Sequence, residues 1–409
     1  MVSRQAARLV AGTPVISEAH FAAEADPYDF RRNPGGYVNI GTAENRLVWD
    51  LVAPRLRAPR PVSSADTRYA PLFGTPGLRE AVAAFLGRTG GVAVDPENVI
   101  VVGGATAALD IIASVLCDPG ETIAVPVPYY GAFDTDLTGR SRATLLPVRP
   151  CAEDELAPGA PEIAEAVLRA RAAGRTVRAL ALTSPHNPLG RVYREVELRQ
   201  IAEVCARLGL DLVADEIYAN SVFSTTRFTS ALGLSPDVID PERVHVIWGF
   251  AKDFGVPGFK VGVLHTRHSA VRTAARELAY FAPVSTDTQW LLHDMLSDEA
   301  WVDAFLTTSR SRLASSYTTA AGMLTEAGIA FETAEAGFSI WTDLRPWLDN
   351  DSFAAERALW QRLFRTGRVN MLPGKVFHSH RPGWFRLCHT VSPDVVREGV
   401  ERISKVLTA

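Results

Sequence analysis

Between Asp95 and Thr266 short runs of β-branched and apolar residues alternate with longer stretches whose apolar positions recur at helical spacing. This alternation predicts an α/β fold whose sheet is mainly parallel and built from strand–helix–strand units. Val99-Ile100-Val101-Val102 reads as a strand that stops at Gly103-Gly104, and Ala105 to Cys117 reads as the helix that follows. Glu121 to Val125, Ala179 to Thr183, Leu210 to Ala214 and Val244 to Trp248 read as further strands. Each runs out into polar, proline- or glycine-containing sequence. In open α/β sheets ligands sit outside the carboxyl ends of the strands, so chemistry is expected in these loops.

From Asp298 the texture changes to a long charged helical stretch. Phe338 to Leu344 and Trp384 to His389 then alternate like strands with one polar face. The expected organisation is a large domain over 46–297 and a smaller α+β domain over 298–409. Residues 1–45 form an N-terminal segment, rich in Gly, Pro and Asn, that wraps back onto the small domain.

Composition narrows the class. The 409 residues carry 42 Lys+Arg against 46 Asp+Glu, a net charge of −4 without any block of one sign, so no footprint for nucleic acid or an anionic membrane is present. With 47% hydrophobic and 22% charged residues the chain is globular, and disorder and coiled coil are excluded. Cys117, Cys151, Cys205 and Cys388 lack the spacing of a disulfide framework or a zinc site and are expected to be reduced core thiols. Leu9-Val10-Ala11 is too short for a signal-peptide core, and the longest apolar run, Val99 to Leu109, falls short of the ~20 residues of a membrane span. A soluble cytoplasmic protein without a metal is expected.

Four post-strand segments make chemical sense together. Gly103-Gly104-Ala105-Thr106 is a glycine turn entering a helix, where free N–H groups and the helix dipole favour a phosphate, although any strand-to-helix junction can use such a turn. Ser184-Pro185-His186-Asn187-Pro188-Leu189-Gly190 is stiffened by its prolines and aims the Asn187 amide, although turn-making alone accounts for those residues. Asp215-Glu216-Ile217-Tyr218 puts a carboxylate behind an apolar strand. A protonated pyridine nitrogen would be its partner, with Tyr218 in reach of the ring oxygen; a helix N-cap is the plainer alternative. Trp248 to Gly262 holds Lys252 between apolar residues just past a strand. An amine so placed loses its proton and forms a Schiff base with an aldehyde, while a surface lysine in a glycine-rich loop is the alternative. An anion turn, a ring-oxygen donor, a pyridine carboxylate and an amine in separate loops of one sheet suit pyridoxal 5′-phosphate.

Further segments follow in the same order: Asn33-Pro34-Gly35-Gly36 with Gly41-Thr42-Ala43-Glu44-Asn45, Pro126-Val127-Pro128-Tyr129-Tyr130, Val284 to Gln289, Met295 to Glu299, and Pro382 to Cys388. From about Asn33 to the C-terminus the chain thereby resembles the fold-type I pyridoxal-phosphate enzymes of the class I/II aminotransferase group. Within that group it resembles the 1-aminocyclopropane-1-carboxylate (ACC) synthases. The resemblance implies that Lys252 is the Schiff-base lysine and the acid/base at the substrate α-carbon. Asp215 would pair with the pyridine nitrogen, Asn187 and Tyr218 with the ring oxygen, and Tyr130 would stack on the ring. Ala105, Thr106 and Lys260 would hold the phosphate. Arg386 would clamp the substrate α-carboxylate, which suits its planar fork, though a structural ion pair is the alternative. Glu44 would lie near the substrate, and its Ala-Glu-Asn segment points to the ACC synthases rather than to ordinary aminotransferases.

Three positions depart from the pattern. Gly249 stands where the family has a phosphate-binding serine, and Lys260 where it has an arginine, so a fork becomes a point donor. Leu72 replaces a tyrosine that reaches the partner's site in ACC synthases, and Tyr69, one helical turn earlier, is the remaining candidate.

The expected activity is therefore a pyridoxal-phosphate-dependent lyase or transferase that opens the α-carbon of an amino acid as a carbanion. S-adenosylmethionine losing methylthioadenosine is the main expectation. The outcome is either ACC-type α,γ-elimination, or γ-replacement or annulation through a vinylglycine species with a second small molecule. An aminotransferase using a 2-oxo acid is the alternative. A non-enzymatic aminotransferase-like module of a transcription regulator would need a DNA-binding segment for which there is no room before Asn33. The resemblance also implies a homodimer, with Tyr69 to Gly74 and Ser285 to Thr288 near the partner's site.

Overall fold

The computed structural model describes residues 2–3, 6–7, 10, 15–64, 66–152 and 155–409. Leu9 and Ala11, on which the reading of the N-terminus partly rests, lie outside the described residues. The first strand, β1 (Val38–Asn39), pairs far along the chain and is placed below. The next strands are β2 (Val99–Val102), β3 (Thr122–Pro126), β4 (Thr144–Val148), β5 (Val177–Thr183), β6 (Asp211–Asp215), β7 (Val244–Gly249) and β8 (Gly262–Thr266). They form a seven-stranded sheet in the order β2-β8-β7-β6-β5-β3-β4. Its pairings are parallel except those of β8, which runs antiparallel to both β2 and β7.

The central strands are buried on both faces, which is why they read as near-continuous apolar runs. One face packs Phe85 and Phe254 against Trp248, with ring centroids 4.9 and 6.3 Å away. The other carries the Ala105–Leu116 helix, whose Ile111 and Ile112 are buried with Ile100 and Leu264. Two strands of this sheet were not anticipated. β4 is a half-exposed edge with a proline, where a proline is tolerated, and β8 begins on a glycine and carries His265. Strand ends elsewhere move by one or two residues from the expected limits.

A helix of 28 residues, Glu299–Glu326, leads into the second sheet. That sheet contains β9 (Ala330–Glu332), β10 (Ser339–Asp343), β12 (Leu372–Pro373) and β13 (Trp384–Cys388) in the antiparallel order β12-β13-β10-β9. The remaining strand, β11 (Val369–Asn370), pairs in parallel with β1, Val38 opposite Val369. The chain before β1 is tied to the C-terminal helix as well, since Arg402 donates to the carbonyls of Pro34 and Gly36. Alternation along β13 sends Phe385 and Leu387 into the core beneath the sheet and Arg386 to the opposite face. Cys117, Cys205 and Cys388 are buried, but Cys151 is exposed because it follows β4 into an irregular surface loop. Among the described residues no helix is long and apolar enough to cross a membrane.

Candidate active site

The post-strand loops converge on a cavity of about 360 Å³ that also receives residues 41–44 and Arg386. At one end of it, Gly104 adopts φ 97° and caps the Ala105–Leu116 helix. The first N–H groups of a helix have no intrahelical partner, so this turn presents donors to an anion. The cradle requires bare backbone: a β-carbon on Gly262 would lie 2.2 Å from the carbonyl carbon of Gly104 and 2.3 Å from the nitrogen of Ala105. Lys260 holds the left-handed φ of 53°, and its Nζ passes 3.4 Å from where a β-carbon on Gly104 would stand. The lysine ammonium therefore lies over the turn. Gly249 is a packing requirement, since a β-carbon there would come 2.8 Å from the Val261 carbonyl oxygen.

Asp215 ends β6, is 4% exposed and accepts from the Ile217 N–H at 3.2 Å. Burial pushes its pKa up to about 7. A carboxylate so enclosed, with no cation bonded to it among the described residues, suits a protonated ring nitrogen as partner. Lys252 sits on the short Phe250–Asp253 helix after β7, and its Nζ donates to the Ala43 carbonyl at 2.6 Å. Burial, followed by the nearby positive charge of Arg386, brings this amine down to about 8. Its turn is fixed by Asp253, which accepts from Trp248 Nε1 at 3.0 Å, Ser221 Oγ at 2.9 Å and the Asn220 amide at 3.2 Å.

Arg386 is 4% exposed, donates to Asn187 Oδ1 at 3.1 Å and to the Gly41 carbonyl at 2.6 Å, and lies over the Phe377 ring. No acid pairs with it among these contacts, which weighs against a structural ion pair. Tyr218 packs edge-on against Phe338, and burial raises its hydroxyl pKa, as it does that of Tyr130. Glu44 lines the cavity and forms an ion pair with Arg46 at 3.3 Å.

The cavity thus brings together Lys252, Asp215, Tyr218, Asn187, Tyr130, Ala105, Thr106, Lys260, Arg386 and Glu44. Tyr69 does not join them; it is fully exposed. The segment from Tyr69 to Gly74 is irregular, so the helical-turn relation between Tyr69 and Leu72 does not hold. The sequence reading missed His20 and Phe21, which reach the cavity from the Val15–Ala25 helix. His20 Nδ1 lies 2.8 Å from Thr42 Oγ1. It also missed Asp136, whose one signal is an acid set between Phe133 and Leu137.

Residues 50–403 match the family of class I and II aminotransferases. The chain belongs to that family. Among its relatives, ACC synthase 2 of Oryza sativa subsp. japonica is 36% identical over 392 residues, covering 92% of this chain and 81% of the relative. The ACC synthase of Vigna radiata var. radiata is 37% identical, covering 85% of this chain and 99% of the relative. Among solved structures, N-succinyldiaminopimelate aminotransferase from Mycobacterium tuberculosis superposes with a TM-score of 0.80 at 26% identity, covering 99% of this chain and all of that one. Aspartate aminotransferase from Thermus thermophilus, at 24% identity, shares the fold, with a TM-score of 0.81 and 99% coverage of both chains.

The protein is a pyridoxal 5′-phosphate-dependent lyase or transferase of the aminotransferase fold. The bare Gly104–Gly262 cradle, the buried Asp215 carboxylate and the depressed Lys252 amine fit that cofactor. The cofactor, when bound, supplies an aldehyde for Lys252 and a cationic ring that accepts electrons from the substrate α-carbon.

Proposed function

We propose that the enzyme acts on S-adenosylmethionine and expels methylthioadenosine from its γ-carbon. The observation that carries this reading is the position of Glu44, which lines the cavity with Lys252 and Arg386 in the Ala43-Glu44-Asn45 segment characteristic of ACC synthases. The identity of 36–37% to proteins of that name supports it.

In this reading Arg386 binds the α-carboxylate, the role of a buried planar fork. Lys252, as a free amine, takes the α-proton, and an amine titrating near 8 is close to the working pH of such a base. Asp215 keeps the ring nitrogen charged, and Asn187 and Tyr218 hold the ring oxygen. Tyr130 stacks on the ring, and Ala105, Thr106 and Lys260 hold the phosphate. In the cyclising form Cα bonds to Cγ as the carbon–sulfur bond breaks; in the replacing form a β-proton is lost, the carbon–sulfur bond breaks, a nucleophile adds at Cγ and a proton returns to Cβ; in both the electron pair leaves on the sulfur of methylthioadenosine.

Leu72 favours a particular form of that last step. ACC synthases carry there a tyrosine that reaches the partner's site, and Leu72 has no hydroxyl to offer; on that resemblance the enzyme joins Cγ to a second small-molecule substrate by γ-replacement or annulation, and ACC is not its main product. The working form is a cytoplasmic homodimer in which Tyr69 serves the partner's site.

Mixing the holoenzyme with S-adenosylmethionine and no 2-oxo acid tests this against transamination. A cofactor spectrum that returns to its starting form supports the reading. Permanent conversion to the amine form of the cofactor overturns it in favour of an aminotransferase.

A further inference from the structure

Asp136 is a buried carboxylate of the cavity that the chemistry above leaves unused. It ends the short Phe133–Asp136 helix, is 7% exposed, and accepts from Thr106 Oγ1 at 3.2 Å, on the bank of the phosphate turn. The cation beside that turn is Lys260. Gly249 has no side chain to donate and no room for one. A phosphate dianion entering this cup meets the N–H donors of the turn and the Lys260 side chain, with the Asp136 carboxylate on the same bank.

We propose that Asp136 takes up a proton when the phosphate of the cofactor enters the cup, so that cofactor retention is linked to pH through this side chain. The charged and titratable groups facing it come from every element around it. Lys260 from the β7–β8 connection favours the carboxylate, while Asp110 on the Ala105–Leu116 helix favours the protonated acid. Asp110 is itself paired with Arg140 at 3.2 Å. Tyr130, just ahead of the helix, and Asp215 across the cavity both sense its charge. Burial has already pushed the acid up to about 6 without phosphate. A dianion on the same bank raises it further, and protonated Asp136 is then neutral or a donor. Linkage sets the sign: through Asp136 the complex binds up to one proton more than the free protein, so the contribution of this side chain to affinity falls as pH rises above about 6, by up to tenfold per pH unit.

The inference rests on the cofactor and is independent of the amino-acid substrate. It is tested by the dissociation constants of pyridoxal 5′-phosphate and of pyridoxal, followed by absorbance between about pH 6.5 and 8.5, in wild type and Asp136→Asn. Relative to the variant, the wild type is expected to lose pyridoxal 5′-phosphate affinity as pH rises, by up to tenfold from pH 7 to 8, while deprotonation of Lys252 acts equally in both. Pyridoxal is expected to show the same slope in both proteins. Parallel slopes with pyridoxal 5′-phosphate, or an equal difference with pyridoxal, overturn the proposal. If the variant does not fold, calorimetric titration of the wild type at pH 8 in two buffers of different ionisation enthalpy decides. At that pH the free phosphate has already lost its second proton, whose pKa is about 6. Up to one proton more is taken up with pyridoxal 5′-phosphate than with pyridoxal if Asp136 is the acceptor, and equal uptake overturns it.

Discussion

Lys252 Nζ donates to the carbonyl of Ala43 at 2.6 Å, joining the short helix that follows β7 to the segment that carries Glu44. The contact joins distant parts of the chain because β1 runs beside β11 and delivers residues 41–44 to the cavity. The acid next to Ala43 is thereby held beside the amine, and Glu44 adds to the field at Lys252. Replacing Lys252 by Ala is expected to abolish the Schiff-base absorbance and to lower turnover by about 10²–10⁴-fold, the range for a lost acid/base. A Schiff-base band that persists would refute the assignment. In wild type, the rate of pyridoxal capture is expected to climb about tenfold per pH unit below 8 and level off above it, following the free amine.

Arg386 spends its donors on Asn187 and the Gly41 carbonyl, and a lysine in its place cannot reproduce a two-pronged clamp on a carboxylate. Arg386→Lys is expected to raise KM for the amino acid by roughly 10–150-fold, the equivalent of one charge-assisted hydrogen bond of about 1.5–3 kcal/mol. The ultraviolet–visible spectrum of the bound cofactor should be unchanged. A normal KM in steady-state kinetics would remove Arg386 from substrate binding.

Gly249 invites a serine on family grounds, yet the β-carbon would press on the Val261 carbonyl at 2.8 Å and on Ile217 Cδ1 at 3.2 Å. Gly249→Ser is therefore expected to destabilise the protein by about 1–3 kcal/mol, as overpacking does, and not to tighten cofactor binding. Chemical denaturation and a cofactor titration check both halves. Unchanged stability with tighter binding would show that the cup had room for the hydroxyl.

Burial raises Asp215 to about 7 from 3.8 and Glu216 to about 8 from 4.5, although Glu216 accepts from Ser230 Oγ and the Ala231 N–H, each at 2.6 Å. Between about pH 6.5 and 8 the folded protein without cofactor therefore binds more protons than the unfolded chain, and its stability falls as pH rises. Below that window His186, His265 and His389, held neutral by burial down to about 3, act in the opposite direction. Above pH 8 the lowered Lys252 amine also reverses the slope. The melting temperature of the cofactor-free protein should decline from pH 6.5 to 8, and less steeply in Asp215→Asn. Identical slopes in the two proteins would contradict the raised Asp215.

Much of the site was legible because its groups follow strands directly. Asp215 and Lys252 each come just after a buried apolar run, and the end of a strand fixes where the next residues go. Arg386 was reached through the family resemblance, and alternation along β13 accounts for the face on which it stands. Asp136, His20 and Phe21 were not, because only tertiary packing brings a four-residue helix and the Val15–Ala25 helix to the cavity. The reversed strand β8 escaped because its five residues include a glycine and a buried histidine, whose place depends on β2 and β7 on either side. Tyr69 lies away from the cavity of its own chain, so its expected role depends on a partner subunit.

The most direct test is mass spectrometry of the holoenzyme with S-adenosylmethionine in deuterated water, with Lys252→Ala as control. Cγ chemistry initiated by Lys252 predicts methylthioadenosine release by the wild type and not by the variant, with deuterium in the recovered substrate or the product. Neither release nor deuterium incorporation by the wild type would contradict it and leave S-adenosylmethionine without a role.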